Sequence, residues 1–198
     1  VGEPDFPTPE PIRAAGEPAV ADDFEAMGVG EPPSRWNVYS PSWAPVRVVA
    51  SDGDGRVLEL RDEEPYDYAR AQRVFAERRS VRVRFRLRPL QASAPLEIDV
   101  LGARGERPVR LALTARGRVA ACHEGVWQDG GTYEAGRWIA FEIDVNRGNS
   151  SDRFEVQLDG RSILSRPGVF TDPAAGVARL SFRTGPYRHR GSGGEDLL

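Results

Sequence analysis

An all-β fold, built as a two-sheet antiparallel β-sandwich of jelly-roll type, is predicted by three features of the sequence. Short segments of alternating apolar and polar residues follow one another along most of the chain, and a period of two is typical of half-buried strands. No segment keeps the i, i+3, i+4, i+7 spacing of a substantial helix. About eleven such segments, separated by turn residues, suit a two-sheet sandwich.

The predicted strands are short and closely spaced. In chain order they are 46–51, 56–62, 70–76, 80–88, 96–102, 109–115, 118–123, 137–146, 152–160, 161–165 and 178–185. Turn-forming pairs separate neighbouring segments, and the Asp-Gly pairs are strong hairpin signals. The predicted turns are Asp54-Gly55, Arg116-Gly117, Gly130-Gly131 and Asp159-Gly160.

Alternation also assigns the charged residues to one face of each strand. The segment VRVRFRLR (81–88) places four apolar side chains on one face and four arginines on the other. Two E-I-D-V segments alternate in the same way and carry Glu97, Asp99, Glu142 and Asp144 on the polar face. A row of arginines repels itself unless acidic residues lie beside it. We therefore predict that these carboxylates are cross-strand partners of arginines.

Composition excludes several classes of partner. The net charge of −3 provides no cationic field for nucleic acid, and no apolar run approaches the roughly 20 residues that cross a bilayer. We expect neither a nucleic-acid nor a membrane partner. The single Cys122 excludes an internal disulfide and multi-cysteine metal motifs. All 27 basic residues are arginine.

The chain is expected to comprise one folded domain after a linker. Five prolines and no periodicity within residues 1–20 predict an extended arm or linker over residues 1–21. The β-sandwich domain is predicted over residues 22–198, a length at which one core forms. The chain starts at Val1 without a secretory leader pattern. We expect a removed leader or an excerpt from a longer chain.

The sequence resembles the concanavalin A-like superfamily of lectins and glucanases over roughly residues 22–190. DDFEAM (22–27) resembles its opening strand, DGDGRVLELRD (52–62) an early hairpin, and YEAGRWIAFEIDVN (133–146) a Gly-x-Trp entry into a long strand. The resemblance implies a jelly-roll domain in or beside bacterial polysaccharide lyases and glycoside hydrolases. It also implies a secreted or cell-surface location.

Hydrolysis in the manner of glycoside hydrolase family 16 requires Glu, Asp and Glu on one strand. Glu97 and Asp99 match the first two positions, but Gly102 stands at the third. Arg147 stands there in the second E-I-D-V copy. Because neither residue can act as the required acid, we expect no hydrolase site in either copy.

The segment SFRTGPYRH (181–189) resembles the late strand of jelly-roll polysaccharide lyases, whose tyrosine serves as acid or base. The resemblance implies that Tyr187 would transfer the proton while Arg183 and Arg70 neutralise a uronate carboxylate. The chain departs from the lyase pattern where Glu97 and Asp99 replace Gln-x-His. We expect no complete active site and retain a uronate-specific lyase as the alternative.

The predicted ligand is a polysaccharide, in particular an acidic one. Arginine offers a bidentate fork to carboxylate or sulfate, and aromatic faces stack on pyranose rings. The predicted ligand-binding residues are Arg70, Arg183, Tyr187, Trp36, Trp43, Tyr66 and Trp127. Asp52 and Asp54 raise the alternative of calcium, but no glutamate follows at the spacing of a calcium loop. We expect a hairpin turn there and no cofactor.

Taken together, these patterns predict an accessory, carbohydrate-associated domain of an extracellular polysaccharide-degrading protein. An adjacent catalytic domain is the expected protein partner. Two other functions remain open, namely the uronate lyase and a purely structural module that braces a neighbouring catalytic domain.

Overall fold

The computed structural model describes residues 20–63, 66–92, 94–148 and 152–185, and every regular element within these ranges is a β-strand. The strands are β1 (Trp36–Tyr39), β2 (Val46–Ser51), β3 (Gly55–Leu60), β4 (Arg70–Arg78), β5 (Ser80–Leu87), β6 (Leu96–Leu101), β7 (Val109–Leu113), β8 (Arg118–His123), β9 (Val126–Thr132), β10 (Ile139–Arg147), β11 (Asp152–Leu158), β12 (Arg161–Ser162), β13 (Gly168–Val169) and β14 (Val177–Thr184). The described residues include no helix able to span a membrane. The predicted arm lies almost wholly outside the described ranges.

The strands form two main sheets and a separate hairpin. A seven-stranded sheet has the order β1-β4-β14-β6-β7-β8-β9, and a five-stranded sheet has the order β12-β11-β10-β5 with β13 paired to β11. The hairpin consists of β2 and β3, and all pairs are antiparallel. The late strand β14 lies between β4 and β6, so that it joins an early and a middle segment of the chain.

The apolar faces of the two sheets pack together as one core. Ile98 and Leu111 of the seven-stranded sheet are fully buried with Ile143 and Val156 of the five-stranded sheet. This burial follows the alternation in the sequence, since the residues that flank each of these positions in the chain point to the opposite face of the sheet. The predicted all-β, two-sheet antiparallel sandwich is confirmed.

The arginine row of β5 lies beside the second E-I-D-V segment, on β10. Arg82 pairs with Asp144 at 2.6 Å, and Arg84 pairs with Glu142 at 2.7 Å. Each arginine stands directly opposite its partner in the strand register. The predicted cross-strand pairing is therefore confirmed for Glu142 and Asp144.

The predicted hairpin at Asp54-Gly55 is confirmed, because β2 and β3 pair from Ser51 opposite Gly55 onward. Asp54 Oδ2 accepts a hydrogen bond from Trp138 Nε1 at 2.8 Å. The same indole lies beneath the guanidinium groups of Arg86 and Arg88, at 4.8 and 5.0 Å. Asp54 thereby ties the hairpin to the five-stranded sheet.

Two local predictions are wrong. The segment 22–27 forms no strand and instead includes a turn, where Phe24 takes a positive φ of 64°. Gly130 and Gly131 form no hairpin turn but lie within β9, where the register to β8 shifts at a bulge. A Cβ at Gly130 would come within 2.6 Å of Ile163 Cβ. The glycine therefore marks a bulge and a close approach of two chain segments.

Candidate functional site

The outer side of the seven-stranded sheet carries most of the polar side chains that the sequence singled out. Phe182 and Ile98 point into the core, so their neighbours Arg183, Glu97 and Asp99 lie on the opposite side of the sheet. We call this side the polar face. It consists of Asn37, Tyr39, Arg70, Gln72, Ser181, Arg183, Glu97, Asp99, Arg110 and Trp127.

Arg70 and Arg183 stand directly opposite each other on β4 and β14. Arg70 is exposed, and its side chain makes no hydrogen bond or ion pair with any described residue. The guanidinium of Arg183 lies 4.0 Å from the ring centroid of Tyr68. Like charges directly opposite one another on a sheet are destabilising. The carboxylate of Asp67 offsets part of the charge of Arg183, and an anion bound between the two arginines would offset the charge of Arg70.

An aromatic cluster adjoins the arginine pair at the β1 side of the sheet. Asp67 Oδ2 accepts hydrogen bonds from Trp43 Nε1 at 2.8 Å and from the Tyr39 hydroxyl at 3.2 Å. The rings of Tyr39 and Tyr68 are 4.7 Å apart. The hydrogen bond from Trp43, with those from the Tyr68 backbone and Tyr39 and the charge of Arg183, lowers the pKa of Asp67. We call Tyr39, Trp43, Asp67 and Tyr68 the aromatic edge.

The centre of the polar face holds a buried pair of carboxylates. Glu97 is 2% exposed and Asp99 is 7% exposed. Arg107 Nη2 donates to both, at 3.0 Å to Glu97 Oε2 and 2.8 Å to Asp99 Oδ2. The other oxygen of each carboxylate is buried and has no hydrogen-bond partner in the part of the chain described.

Burial determines the protonation behaviour of this pair. The pKa of Asp99 is raised to about 6, chiefly because burial removes solvent from the carboxylate and also because the negative charge of Glu97 lies nearby. The positive charges of Arg107 and Arg110 act in the opposite direction. Asp99 is therefore ionised at neutral pH and gains a proton in mildly acidic solution.

The first E-I-D-V segment has an arginine partner, as predicted, but the partner is a different arginine. Arg107 comes from the loop between β6 and β7, whereas the row on β5 serves the other sheet. Sequence reasoning missed Arg107 because it lies outside any alternating segment. Gly102 follows the last residue of β6 and adds no carboxylate. The arrangement lacks the second glutamate that retaining hydrolysis requires.

The predicted aromatic residues are dispersed. Trp43 and Tyr66 are 52% and 81% exposed, but Trp36 is only partly exposed and stacks on Phe182 of the core at 6.3 Å. Its prediction as an exposed aromatic is wrong, because alternation on β1 turns Tyr39 outward and Trp36 inward. Trp127 lies five strand steps from β4, about 24 Å at the usual strand spacing. Tyr187 lies outside the described residues.

Trp127 and Asp52, the latter considered for calcium, lie away from the arginine pair. The guanidinium of Arg110 lies 5.1 Å from the Trp127 ring, so this tryptophan belongs to the far end of the polar face. Asp52 is exposed at the β2–β3 turn. Among the described residues, no group of three or more His, Cys, Asp and Glu side chains is placed to hold a metal ion.

The fold is that of a two-sheet antiparallel β-sandwich domain. Residues 36–192 match the family model described as "Sialidase-like, CBM domain". The chain belongs to this family of sialidase-like carbohydrate-binding modules. No curated protein sequence matches it.

Three solved structures are similar to parts of this chain. A protein named "Sialidase" aligns with a TM-score of 0.74 and 29% identity, covering 85% of this chain and 15% of that chain. A tetrameric galectin from Cinachyrella sp. (ball sponge) aligns with a TM-score of 0.42 and 11% identity, over 58% of this chain and 86% of the galectin. A variant of human galectin-16 aligns with a TM-score of 0.37 and 18% identity, over 60% and 86%.

Proposed function

We propose that this chain is an accessory domain that binds an acidic glycan at the Arg70–Arg183 pair on the polar face. The observation that carries the proposal is the direct opposition of these two arginines on neighbouring strands. A carboxylate seated between them accepts hydrogen bonds from two planar guanidinium groups, which arginine forms well with carboxylates.

The position of the pair supports access by a ligand. Glu97, Asp99 and Arg110, nearer the centre of the polar face, are at least nine-tenths buried, whereas Arg70 and Trp43 are exposed. A glycan would approach the sheet at its β1–β4 side. Aromatic rings beside charged groups are what sugar recognition uses, because a pyranose has apolar C–H faces as well as hydroxyls.

Sialic acid is the acidic sugar that we propose first. The family is that of sialidase-like carbohydrate-binding modules, and the aligned solved protein is named a sialidase. A terminal sialic acid carries one carboxylate, which matches one arginine pair. We further propose that the domain works beside a catalytic domain in a secreted or cell-surface protein, and that its sandwich belongs to the concanavalin A-like superfamily.

Binding is favoured over a lyase reaction at the same arginines. A uronate lyase would use Arg70 and Arg183 with Tyr187 to stabilise negative charge that develops at the sugar. Glu97 and Asp99 stand where the lyase pattern has Gln-x-His, and Arg107 holds both carboxylates, so these positions supply no hydrogen-bond donor to the developing charge. Incubation with alginate, pectate or heparin should therefore produce no ultraviolet absorbance from an unsaturated uronate.

Calorimetric titration with 3′-sialyllactose and with lactose tests the proposal. The chain should bind the sialylated sugar and not lactose, and Arg70→Ala should weaken binding about tenfold or more. The matched control is Arg161→Ala, because Arg161 is an exposed arginine on the other sheet. Equal binding of both sugars, or equal losses from both substitutions, would refute the anion site at Arg70 and Arg183.

A further inference from the structure

The aromatic edge continues the proposed anion site without a gap. Tyr39 stands directly opposite Arg70 in the strand register, and Arg70 stands opposite Arg183. Arg183 in turn packs on Tyr68, whose ring contacts that of Tyr39. Trp43 joins the cluster through the carboxylate that it shares with Tyr39. One surface therefore carries the arginines and the exposed aromatic rings.

The aromatic rings are held in place before any ligand arrives. Asp67 accepts from the indole N–H of Trp43 and from the hydroxyl of Tyr39, so that one carboxylate orients two rings. Trp43 nevertheless remains 52% exposed and Tyr39 38% exposed. Exposed apolar surface that is contiguous marks interaction sites, and a ring that is already fixed loses little entropy on binding.

The charge at the aromatic edge determines what can stack there. Asp67 has its pKa lowered by its hydrogen bond with Trp43 and by further donors, so it stays negatively charged in neutral solution. That charge repels a second anionic sugar but accepts hydroxyl donors from a neutral one. An acidic sugar over the two arginines and a neutral sugar over Trp43 would match the positive charge of the arginines and the negative charge of Asp67.

We propose that the aromatic edge is a second subsite, which stacks the neutral pyranose linked to an acidic terminal sugar. The proposal rests on the proposed function, because the acidic sugar at Arg70 and Arg183 brings its neighbour over Trp43. The domain then recognises at least a disaccharide, and its ligand is an acidic sugar carried on a neutral one.

Two probes separate the two subsites, namely the methyl glycoside of N-acetylneuraminic acid and 3′-sialyllactose. Wild-type protein should bind the trisaccharide about five to ten times more tightly than the monosaccharide, as stacking on an aromatic ring provides. Trp43→Ala should abolish this preference, so that the ratio of the two affinities falls to about one. Trp43→Phe retains a ring and should keep much of the preference. Trp127→Ala, at the far end of the sheet, should retain all of it.

The outcomes distinguish the second subsite from the first. If the wild type binds both probes equally, or if Trp43→Ala keeps the preference, the second subsite is refuted while the anion site stands. If neither probe binds the wild type, the proposed function fails and the second subsite with it. Equal loss of both probes in a folded Trp43→Phe variant would also refute separate subsites.

Discussion

Phe85 meets Phe182 edge to face, with ring centroids 5.0 Å apart, and this contact joins the two sheets. Phe85 also stacks on Phe141 of its own sheet at 4.9 Å. Phe182 is the residue directly before Arg183, so the contact fixes β14 on its core side while the arginine stands on the polar face. Core packing and the proposed anion site therefore depend on the same strand.

Phe85→Ala should lower the free energy of unfolding by about 2–4 kcal/mol, because it removes a ring from between two others and leaves a cavity. Chemical denaturation followed by fluorescence measures the change. Arg84→Ala is the neighbouring control on the outer face, where its pair with Glu142 is exposed to solvent. It should cost less than about 1 kcal/mol. Similar losses from both variants would contradict the assigned faces.

Arg107→Ala should be among the most destabilising surface-loop substitutions, because it removes the hydrogen-bond donor that Glu97 and Asp99 share. Removing one partner of a buried charge cluster costs about 3–5 kcal/mol. The double variant Arg107→Ala, Asp99→Asn should lose less unfolding free energy than the sum of the losses in the two single variants. The reason is that it leaves one fewer unpaired charge than Arg107→Ala alone. A strictly additive double-mutant cycle would show that the three groups are not coupled.

The carboxylate of Asp99 should make stability depend on pH in mildly acidic solution. Its pKa is raised to about 6 in the folded protein and is about 3.9 in an unfolded chain. The folded state therefore holds this proton more tightly. The contribution of Asp99 to stability is fully present below about pH 3.9, and it is lost as pH rises towards 6.

Asp99→Asn should remove this dependence. Between pH 4 and pH 7, the unfolding free energy of the variant should rise relative to wild type by up to about 3 kcal/mol, at about 1.4 kcal/mol per pKa unit. Denaturation curves at several pH values measure the difference. Asp144→Asn, whose carboxylate pairs with Arg82 at the surface, provides the control. Parallel pH curves for wild type and Asp99→Asn would contradict the buried titration.

The strands and their faces could be predicted because alternation is a local property of the sequence. Ile98 and Ile143 are buried where the period of two places them. The β9 strand was missed because its two glycines resemble a turn, and only the approach of Ile163 explains them. Trp36 was misplaced because an aromatic residue on a short strand gives no sign of which face is covered.

The candidate site depended on contacts that sequence alone does not give. The resemblance to lyases brought Arg70 and Arg183 together correctly, as the register of β4 and β14 confirms. Asp67, Tyr39 and Tyr68 were missed, because Tyr39 ends β1 whereas Asp67 and Tyr68 lie in the segment that precedes β4. Arg107 was missed for the same reason, since a loop arginine has no periodicity that points to a partner.

Salt should separate the contributions of the two proposed subsites. Exposed charge pairs weaken as ionic strength rises, because the screening length falls from about 30 Å at 0.01 M to about 10 Å at 0.1 M. Binding of 3′-sialyllactose should therefore weaken across this range. Arg70→Ala should reduce the salt dependence, because one of the two cations is gone. Trp43→Ala should weaken binding but leave the salt dependence unchanged, because ring stacking involves no net charge. Binding that is insensitive to salt would contradict an arginine-based anion site.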